Sequence, residues 1–364
     1  MELKPRKLVL EDGSVYCGQA FGSYCERVCE VVFNTSMVGY QEIISDPAYA
    51  DKIIVMTYPL IGNSGIVDED LESKSLSLGG LIVRDYNDFP SNFRTTKTLS
   101  EILDEDFVPA ITGIDTRKLA KHVRDNGFIR GIITDAETET EHAVLKIKNA
   151  PVPHNSVYNV SCKKKWYART SNHILNIVVV DCGIKLSMIK SLNQQGCNVT
   201  VVPFNTDADT ISEFVPDGVL ISNGPGEVND ILEVVKLASS LKGKYPLFGI
   251  GLGCLVLAKA YKADIVKLPF GHYGGNHPVI NLLTGKIETA NQSHESTIDE
   301  NSLLCTGLKV AYKNVIDNTV EGIISEEEGI FGMLHYYNTS SFSNEIAFML
   351  NKFLDSAKGA NTDA

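Results

Sequence analysis

The second half of the chain contains four short apolar runs, separated by segments long enough for helices. The runs are residues 177–180, 199–202, 218–221 and 247–250. A strand with one buried face alternates apolar and polar residues, whereas a strand buried on both faces is apolar throughout. The pattern therefore predicts a mainly parallel sheet with helices on both faces, a doubly wound α/β domain over residues 174–358.

The first half of the chain is less regular and predicts a separate N-terminal α+β domain over residues 1–150. Its β-like segments are residues 7–10, 28–33 and 52–57, and a helix is expected at Thr116–Asn126. Residues 151–173 contain Pro151, Pro153 and three consecutive lysines, which is typical of a linker; the lysines form a solvated face or a docking contact. Residues 359–364 are expected to be a flexible tail.

Charge and cysteine content exclude several classes of function. The chain has 33 basic and 45 acidic residues, and its formal net charge of −12 argues against binding nucleic acid or an anionic membrane. No apolar stretch approaches the roughly 20 residues of a membrane span, and no secretory signal is evident at the start. Eight cysteines without a Cys-x-x-Cys pair predict reduced thiols and a cytoplasmic location.

Two turns after apolar runs are candidates for a site, because ligands of doubly wound sheets bind at the carboxyl ends of the strands. Gly224 and Gly226 flank a proline in the first turn, where backbone N–H groups could approach an anion or a carbonyl; a simple tight turn is the alternative. In the second turn, Gly251 stands between a strand and the helix beginning at Leu252.

The turn at Gly251 has two interpretations. As a dinucleotide-binding loop it has the spacing Gly-x-Gly-x-Gly, with the third glycine one residue early, and it does not open the first βαβ unit of the domain. As a nucleophile elbow it is correctly placed between strand and helix, although a glycine occupies the position of the nucleophile. The elbow is the favoured interpretation, and no cofactor is expected.

Four segments resemble the small subunit of carbamoyl-phosphate synthetase, and the resemblance extends from about residue 7 to 355. They are residues 31–42, 57–63, 114–117 and 270–278. The resemblance implies a class I glutamine amidotransferase domain behind a family-specific N-terminal domain, with a large synthetase subunit as partner. In that family a cysteine thiolate attacks glutamine, a histidine backed by a glutamate activates it, and the ammonia reaches the large subunit, which uses bicarbonate and ATP.

The reacting groups depart from the family pattern. The family's elbow reads Gly-Ile-Cys-Leu-Gly-His-Gln, whereas this chain has Gly251 in place of the cysteine and Leu255 in place of the glutamine. The family's His-Pro-Glu is represented by His335 followed by two tyrosines, so Tyr337 stands where the glutamate is expected. One of the three triad members remains.

The positions of the glutamine pocket differ as well, while Gly224, Gly226 and Leu252 remain as in the family. Ala48 replaces a serine in the first half of the chain. In the segment that reads Gln-Asn-His-Gly-aromatic in the family, the replacements are Ser293, Glu295 and Ser296. Because Glu295 would place a carboxylate next to the carboxylate of glutamine, it is expected to weaken binding of that substrate.

These departures predict a small-subunit homologue without glutaminase activity, which serves as a structural or regulatory partner of a large subunit in pyrimidine or arginine synthesis. Glycine adopts the strained elbow conformation at little cost, so its presence fits a site released from catalysis. Two alternatives remain open. The chain could hydrolyse glutamine through a non-standard site, or it could be a free-standing module that binds another small molecule.

Cys254 is the nearest thiol to the elbow and is the only candidate for a relocated nucleophile; a buried structural cysteine is the favoured interpretation. His272, His277 and His294 could form a zinc site with Cys254. Their spacing matches no common ligand pattern, so no metal is expected. His335 is interpreted as a remaining hydrogen-bonding histidine rather than a base.

Overall fold

The computed structural model describes residues 4–336 and 348–360. These residues form two compact units. The first comprises residues 4–153 and Pro269–Gly274, and the second comprises residues 154–268 and the described residues from 275 onward. No helix in the described ranges is long and apolar enough to span a membrane.

The first unit contains nine strands and four helices among its described residues. The strands are β1 Pro5–Leu10, β2 Val15–Gly22, β3 Val28–Asn34, β4 Lys52–Met56, β5 Leu60–Ile61, β6 Gly80–Ile82, β7 Asp85–Tyr86, β8 Pro109–Thr112 and β9 Ile129–Asp135. The helices are α1 Tyr40–Ser45, α2 Leu99–Glu105, α3 Thr116–Asn126 and α4 Thr140–Asn149. Seven strands close into a barrel in the order β1-β2-β8-β6-β4-β3-β9, and β5 pairs with β7 in a small ribbon.

The predicted segments at 7–10 and 28–33 lie within β1 and β3, the segment at 52–57 extends one residue beyond β4, and α3 has the predicted bounds. This helix begins where the Asp115 carboxylate accepts a hydrogen bond from the backbone N–H of Lys118, at 3.0 Å, and it ends before Gly127. The closure of the barrel was not predicted, because it depends on long-range pairing such as that of Lys7 with Thr134.

The second unit is built on one sheet. Its strands are β10 Trp166–Ala168, β11 Leu175–Asp181, β12 Cys197–Pro203, β13 Gly218–Ile221, β14 Leu247–Ile250, β15 Ile265–Asn281, β16 Ile287–Ile298, β17 Lys309–Asn314, β18 Val320–Ser325 and β19 Ile330–Met333. Its helices are α5 Ser156–Val160, α6 Leu186–Gln194, α7 Ala208–Glu213, α8 Leu232–Leu241, α9 Leu252–Ala260 and α10 Phe348–Ala360. The strand order is β10-β12-β11-β13-β14-β19-β18-β17-β15-β16.

The strands β12, β11, β13, β14 and β19 are parallel, as the apolar runs predicted. Both faces of this part of the sheet are buried. In β11, Val178 and Val180 pack in one hydrophobic cluster, while Ile177 and Val179 pack in another. Since successive side chains of a strand point to opposite faces, two buried faces require the continuous apolar run.

Residues 151–173 were predicted to be a linker, but most of them belong to the second unit. β10 pairs antiparallel with β12 and extends the sheet by one strand. The backbone N–H of Cys162 donates to the Asp181 carboxylate at 2.8 Å. The pairing satisfies backbone groups that a free linker would expose to water. In the predicted tail, Gly359 and Ala360 lie in α10, and residues 361–364 lie outside the described residues.

Candidate functional site

The strand β14 and the helix α9 meet in a sharp turn with Gly251 at its apex. Gly251 has φ +53° and ψ −117°, a conformation that side chains strongly disfavour. Its N–H donates to the carbonyl of Met333 at the end of β19, at 2.8 Å, and its carbonyl accepts from the N–H of Cys254 at 3.0 Å. The turn therefore has the backbone form of a nucleophile elbow, held between a parallel strand and the first turn of a helix.

The glycines on either side of the apex have a packing role. A Cβ atom at Gly253 would overlap the carbonyl oxygen of Ile221, and one at Gly249 would overlap the carbonyl oxygen of Gly253. At Gly251, by contrast, the nearest atom to such a Cβ would be the Cβ of Asn223, at 3.3 Å. A Cβ at the apex would thus make a tight contact, whereas one at either flanking position would overlap backbone atoms.

The turn after β13 lies beside the elbow through Asn223, which is buried. A Cβ at Gly224 would overlap the carbonyl of Cys182, and Gly226 has φ +80°. The N–H of Cys182 donates to the Ser222 hydroxyl at 2.9 Å, which ties this turn to the end of β11. Gly224 is therefore required by the close approach of the Cys182 carbonyl, and Gly226 is required by its backbone conformation.

Cys254 lies in the first turn of α9 and is fully buried. A Cβ at Gly332 would come within 2.8 Å of its sulfur, so the side chain packs against β19. Burial and the neighbouring Glu321 carboxylate raise the pKa of this thiol well above its ordinary value. Because the thiolate is the nucleophilic form, Cys254 is an inert thiol in this position.

Three ionisable side chains, His294, Glu321 and His335, form a buried cluster in the second unit. Glu321, on β18, and His335, just after β19, have no solvent exposure. The Oε2 atom of Glu321 lies 3.2 Å from Nε2 of His294, on β16, and 4.0 Å from Nδ1 of His335. The ring of Tyr312 packs edge-on against the His335 imidazole, with 4.9 Å between the centroids.

The two ring nitrogens of His294 face different groups in the buried cluster. Its Nδ1 lies 3.1 Å from the carbonyl oxygen of Ser296, and since a carbonyl only accepts, Nδ1 carries a proton. Nε2 then faces the Glu321 carboxylate at 3.2 Å. Burial lowers the pKa of His335 to about 4, so its imidazole is neutral near pH 7.

One predicted pocket position of the second unit, Ser293, contacts Tyr336. The hydroxyls of Ser293 and Tyr336 are hydrogen-bonded to each other. The backbone of Tyr336 exchanges two hydrogen bonds with Asn291, at 2.8 and 2.9 Å, and the ammonium of Lys185 lies 3.8 Å from the Tyr336 ring centroid. A tyrosine therefore occupies the space next to Ser293.

The other residues that were predicted as pocket positions lie at separate places in the structure. Glu295 lies 3.9 Å from the ammonium of Lys267, and Ser296 contributes its carbonyl to His294. Leu252 and Leu255 are buried in the core of the second unit. Ala48 is buried in a short turn of the first unit, and its N–H donates to the Asp46 carboxylate at 2.9 Å. Tyr337 lies outside the described residues.

Sequence reasoning missed Glu321 as a neighbour of His335. The available signal was a glutamate at the second position of a mostly apolar segment, because a buried charge requires a partner. Tyr336 was also not considered as a pocket residue. Of the residues weighed for zinc, Cys254, His277 and His294 belong to the second unit and His272 to the first.

Comparison with known proteins gives two family matches that together cover most of the chain. Residues 8–133 match the family described as "Carbamoyl-phosphate synthase small chain, CPSase domain". Residues 178–333 match "Glutamine amidotransferase class-I".

Curated relatives are similar over nearly their whole length. The carbamoyl phosphate synthase small chain of Listeria innocua is 40% identical over 350 residues, which is 96% of each chain. That of Staphylococcus saprophyticus is 41% identical over 353 residues, covering 97% of this chain and 96% of the relative. Among solved structures, a glutamine amidotransferase from Thermotoga maritima is 14% identical, covering 52% of this chain and 85% of that one, with a TM-score of 0.37.

Proposed function

The chain belongs to the carbamoyl phosphate synthase small chain family, and we propose that it serves there as a partner of the large subunit that does not hydrolyse glutamine. The large subunit would make carbamoyl phosphate from ammonia, bicarbonate and ATP. The small chain would contribute its fold to the assembly rather than a glutaminase reaction.

The glycine at the apex of the elbow carries this proposal. Hydrolysis of an amide through a covalent intermediate requires a side chain that forms a bond to the carbonyl carbon. Gly251 offers none, although the backbone around it retains the conformation that would present one. A Cβ at this position would make one tight contact, with the side chain of Asn223 at 3.3 Å. The reacting atom is therefore missing from a turn that could otherwise hold it.

The other groups near the elbow do not replace the missing nucleophile. Cys254 is buried against β19, and its raised pKa keeps it protonated. His335 has a pKa lowered to about 4, whereas an efficient general base has a pKa near the operating pH. Its neighbouring carboxylate, Glu321, also contacts His294. The arrangement fits a stabilised core better than a proton-transfer site.

The contact between Ser293 and Tyr336 also supports the proposal, because it opposes binding of a substrate at Ser293. Both residues differ from the family pattern, and they are bonded to each other through their hydroxyls. An amide substrate at Ser293 would have to displace the tyrosine and break this bond. Loss of the nucleophile is therefore accompanied by a filled pocket position.

The partner role is supported by the length of the similarity. Relatives named as small chains match this chain over 96% of their own length, through both units. A chain that had become a free-standing module would not need to keep the small-chain-specific domain at residues 8–133.

The test combines the purified chain with its cognate large chain. Ammonia release from glutamine is measured for the chain alone and for the mixture, beside carbamoyl phosphate synthesis from ammonia and from glutamine. We expect a stable complex by gel filtration, synthesis from ammonia, and glutamine hydrolysis no higher than in a blank without the small chain.

The Cys254→Ala variant decides the alternative of a non-standard glutaminase, with Cys305→Ala, at an exposed cysteine, as its control. Hydrolysis that disappears only in Cys254→Ala would contradict the proposal and identify a relocated nucleophile. Absence of any complex with the large chain would remove the partner role.

A further inference from the structure

The first unit displays two phenylalanines on a surface loop, residues 87–94, which we call the phenylalanine loop. Phe89 is 84% exposed and Phe93 is 96% exposed. Such exposure of large aromatic side chains is costly in water, and paired exposed aromatics mark interaction sites. We propose that the phenylalanine loop is the docking element for the large subunit, an inference that depends on the partner role proposed above.

The backbone of the phenylalanine loop is held by hydrogen bonds along its length. The side chain of Asn87 both donates to the carbonyl of Phe89, at 3.3 Å, and accepts from its N–H, at 3.1 Å. The Asn92 side chain accepts from the N–H of Arg94 at 3.1 Å. A loop ordered before binding loses less conformational entropy when a partner arrives, so its aromatic side chains are effective anchors.

The ends of the phenylalanine loop are anchored to the body of the first unit. Tyr86, just before it, stacks on Phe21, with 4.3 Å between the ring centroids. Arg94, at its end, pairs with Glu69 at 3.2 Å and with Asp70 at 3.1 Å. The positions of Phe89 and Phe93 are thereby fixed relative to the barrel.

A second pair of exposed apolar residues precedes α1, which is hydrogen-bonded to the turn at residues 62–65. Met37 is 72% and Val38 is 75% exposed, just before α1. In α1, the Tyr40 hydroxyl donates to the carbonyl of Gly65 at 2.6 Å. The neighbouring carbonyl of Asn63 accepts from the N–H of Ser91, in the phenylalanine loop, at 3.0 Å. Both apolar pairs are therefore attached to the turn at residues 62–65.

The two phenylalanines account for part of the area that an interface requires. A phenylalanine buries about 150–250 Å², so Phe89 and Phe93 together offer roughly 300–500 Å². A standard interface buries about 800 Å² on each partner. The two phenylalanines would thus supply about half of this chain's share, as the apolar centre of the interface.

The charge around the loop favours a different protein over a second copy of this chain. Four carboxylates, those of Glu69, Asp70, Asp85 and Asp88, lie around the loop against two arginines, because Arg84 pairs with Asp85 at 3.9 Å and Arg94 pairs with Glu69 and Asp70. The surroundings are therefore acidic overall. The whole chain carries a net charge of −12, so two copies repel each other. The partner expected here has an apolar pocket with basic residues at its rim. The loop also lies within residues 8–133, the part matched by the small-chain-specific family.

The experiment measures binding of the full chain to its cognate large chain, by biolayer interferometry, for the double variant Phe89→Ser/Phe93→Ser. Leu304→Ser is the matched control, because Leu304 is 87% exposed in the second unit. We expect the double variant to bind at least about 30-fold more weakly, as for loss of interface hot spots. The control should stay within about 3-fold, and both variants should keep the wild-type melting temperature, because exposed side chains contribute little to stability.

The outcomes separate this inference from the proposed function. If the wild-type chain binds the large chain and the double variant binds equally well, the docking site is wrong and the partner role stands. If the wild-type chain does not bind at all, the partner role fails, and the docking inference fails with it. If the chain alone dimerises and the double variant does not, a second copy is the occupant and the inference is overturned.

Discussion

The second unit contains both the elbow at Gly251 and the buried cluster of His294, Glu321 and His335. The two differ in the chemical groups that each provides. The elbow retains its backbone conformation, including φ +53°, but has no side chain at its apex. The buried cluster retains three ionisable side chains, but Glu321 and His335 have no access to solvent. One region has the backbone form of a nucleophile elbow with a glycine at its apex, and the other holds ionisable groups without exposure.

The two regions are held in place by different interactions. The elbow is held by its neighbours, because Gly249 and Gly253 allow the helix α9 to approach the strands closely. In the buried cluster, Glu321 and His294 compensate each other, because removing one would leave the other buried without a partner. The apex residue, Gly251, belongs to neither set of contacts and is constrained by its backbone conformation.

The largest effect is expected from Glu321→Ala, which removes the carboxylate of the buried cluster. His294 then faces a cavity, and breaking a buried pair costs about 3–5 kcal/mol. Urea unfolding measures the change in the free energy of unfolding. The control is Glu300→Ala, at an exposed residue paired with Lys313 at 2.7 Å, which should cost at most about 1 kcal/mol. Equal losses in both variants would show that the buried cluster is not a stabilising unit.

A second prediction compares two glycines of the elbow. Gly253→Ala places a Cβ against the carbonyl of Ile221 and is expected to cost about 3 kcal/mol or more. Gly251→Ala makes one tight contact, with Asn223, and otherwise bears the unfavourable backbone conformation, so it is expected to cost less, about 1–2 kcal/mol. Both values come from chemical denaturation of the purified variants. The reverse order would mean that the apex, rather than its flank, is constrained by packing.

A smaller effect is expected from pH. The pKa of His335 is lowered from 6.5 to about 4 by burial. Between these values the unfolded state binds more protons than the folded state, so stability falls as the pH decreases. From pH 7 to pH 5 this residue should account for a loss of about 2 kcal/mol. Urea unfolding of the wild-type chain and of His335→Asn at both pH values isolates the contribution. A variant with the same pH dependence as the wild-type chain would show that His335 is not buried in its neutral form.

Local patterns were sufficient to predict four neighbouring parallel strands of the second unit, but not β10 or β15–β19. The apolar runs placed β11, β13 and β14, and the position of Gly251 between a strand and a helix identified the elbow. These features arise from neighbours in sequence, so periodicity and glycine content indicate them directly. The barrel of the first unit was not predicted, because the pairing of β1 with β9 joins residues more than a hundred positions apart.

The sequence by itself determined the family, the doubly wound fold of the second unit and the absence of a cysteine at residue 251, since each depends on residue identity or local pattern. The tertiary structure decided which side chains meet. Glu321, His294 and His335 lie on different elements, and only the order of strands β16, β18 and β19 in the sheet and the path of the chain after β19 bring them together. The exposure of Phe89 and Phe93 was likewise decided by the fold, because an aromatic residue in a sequence is as compatible with a core as with a surface.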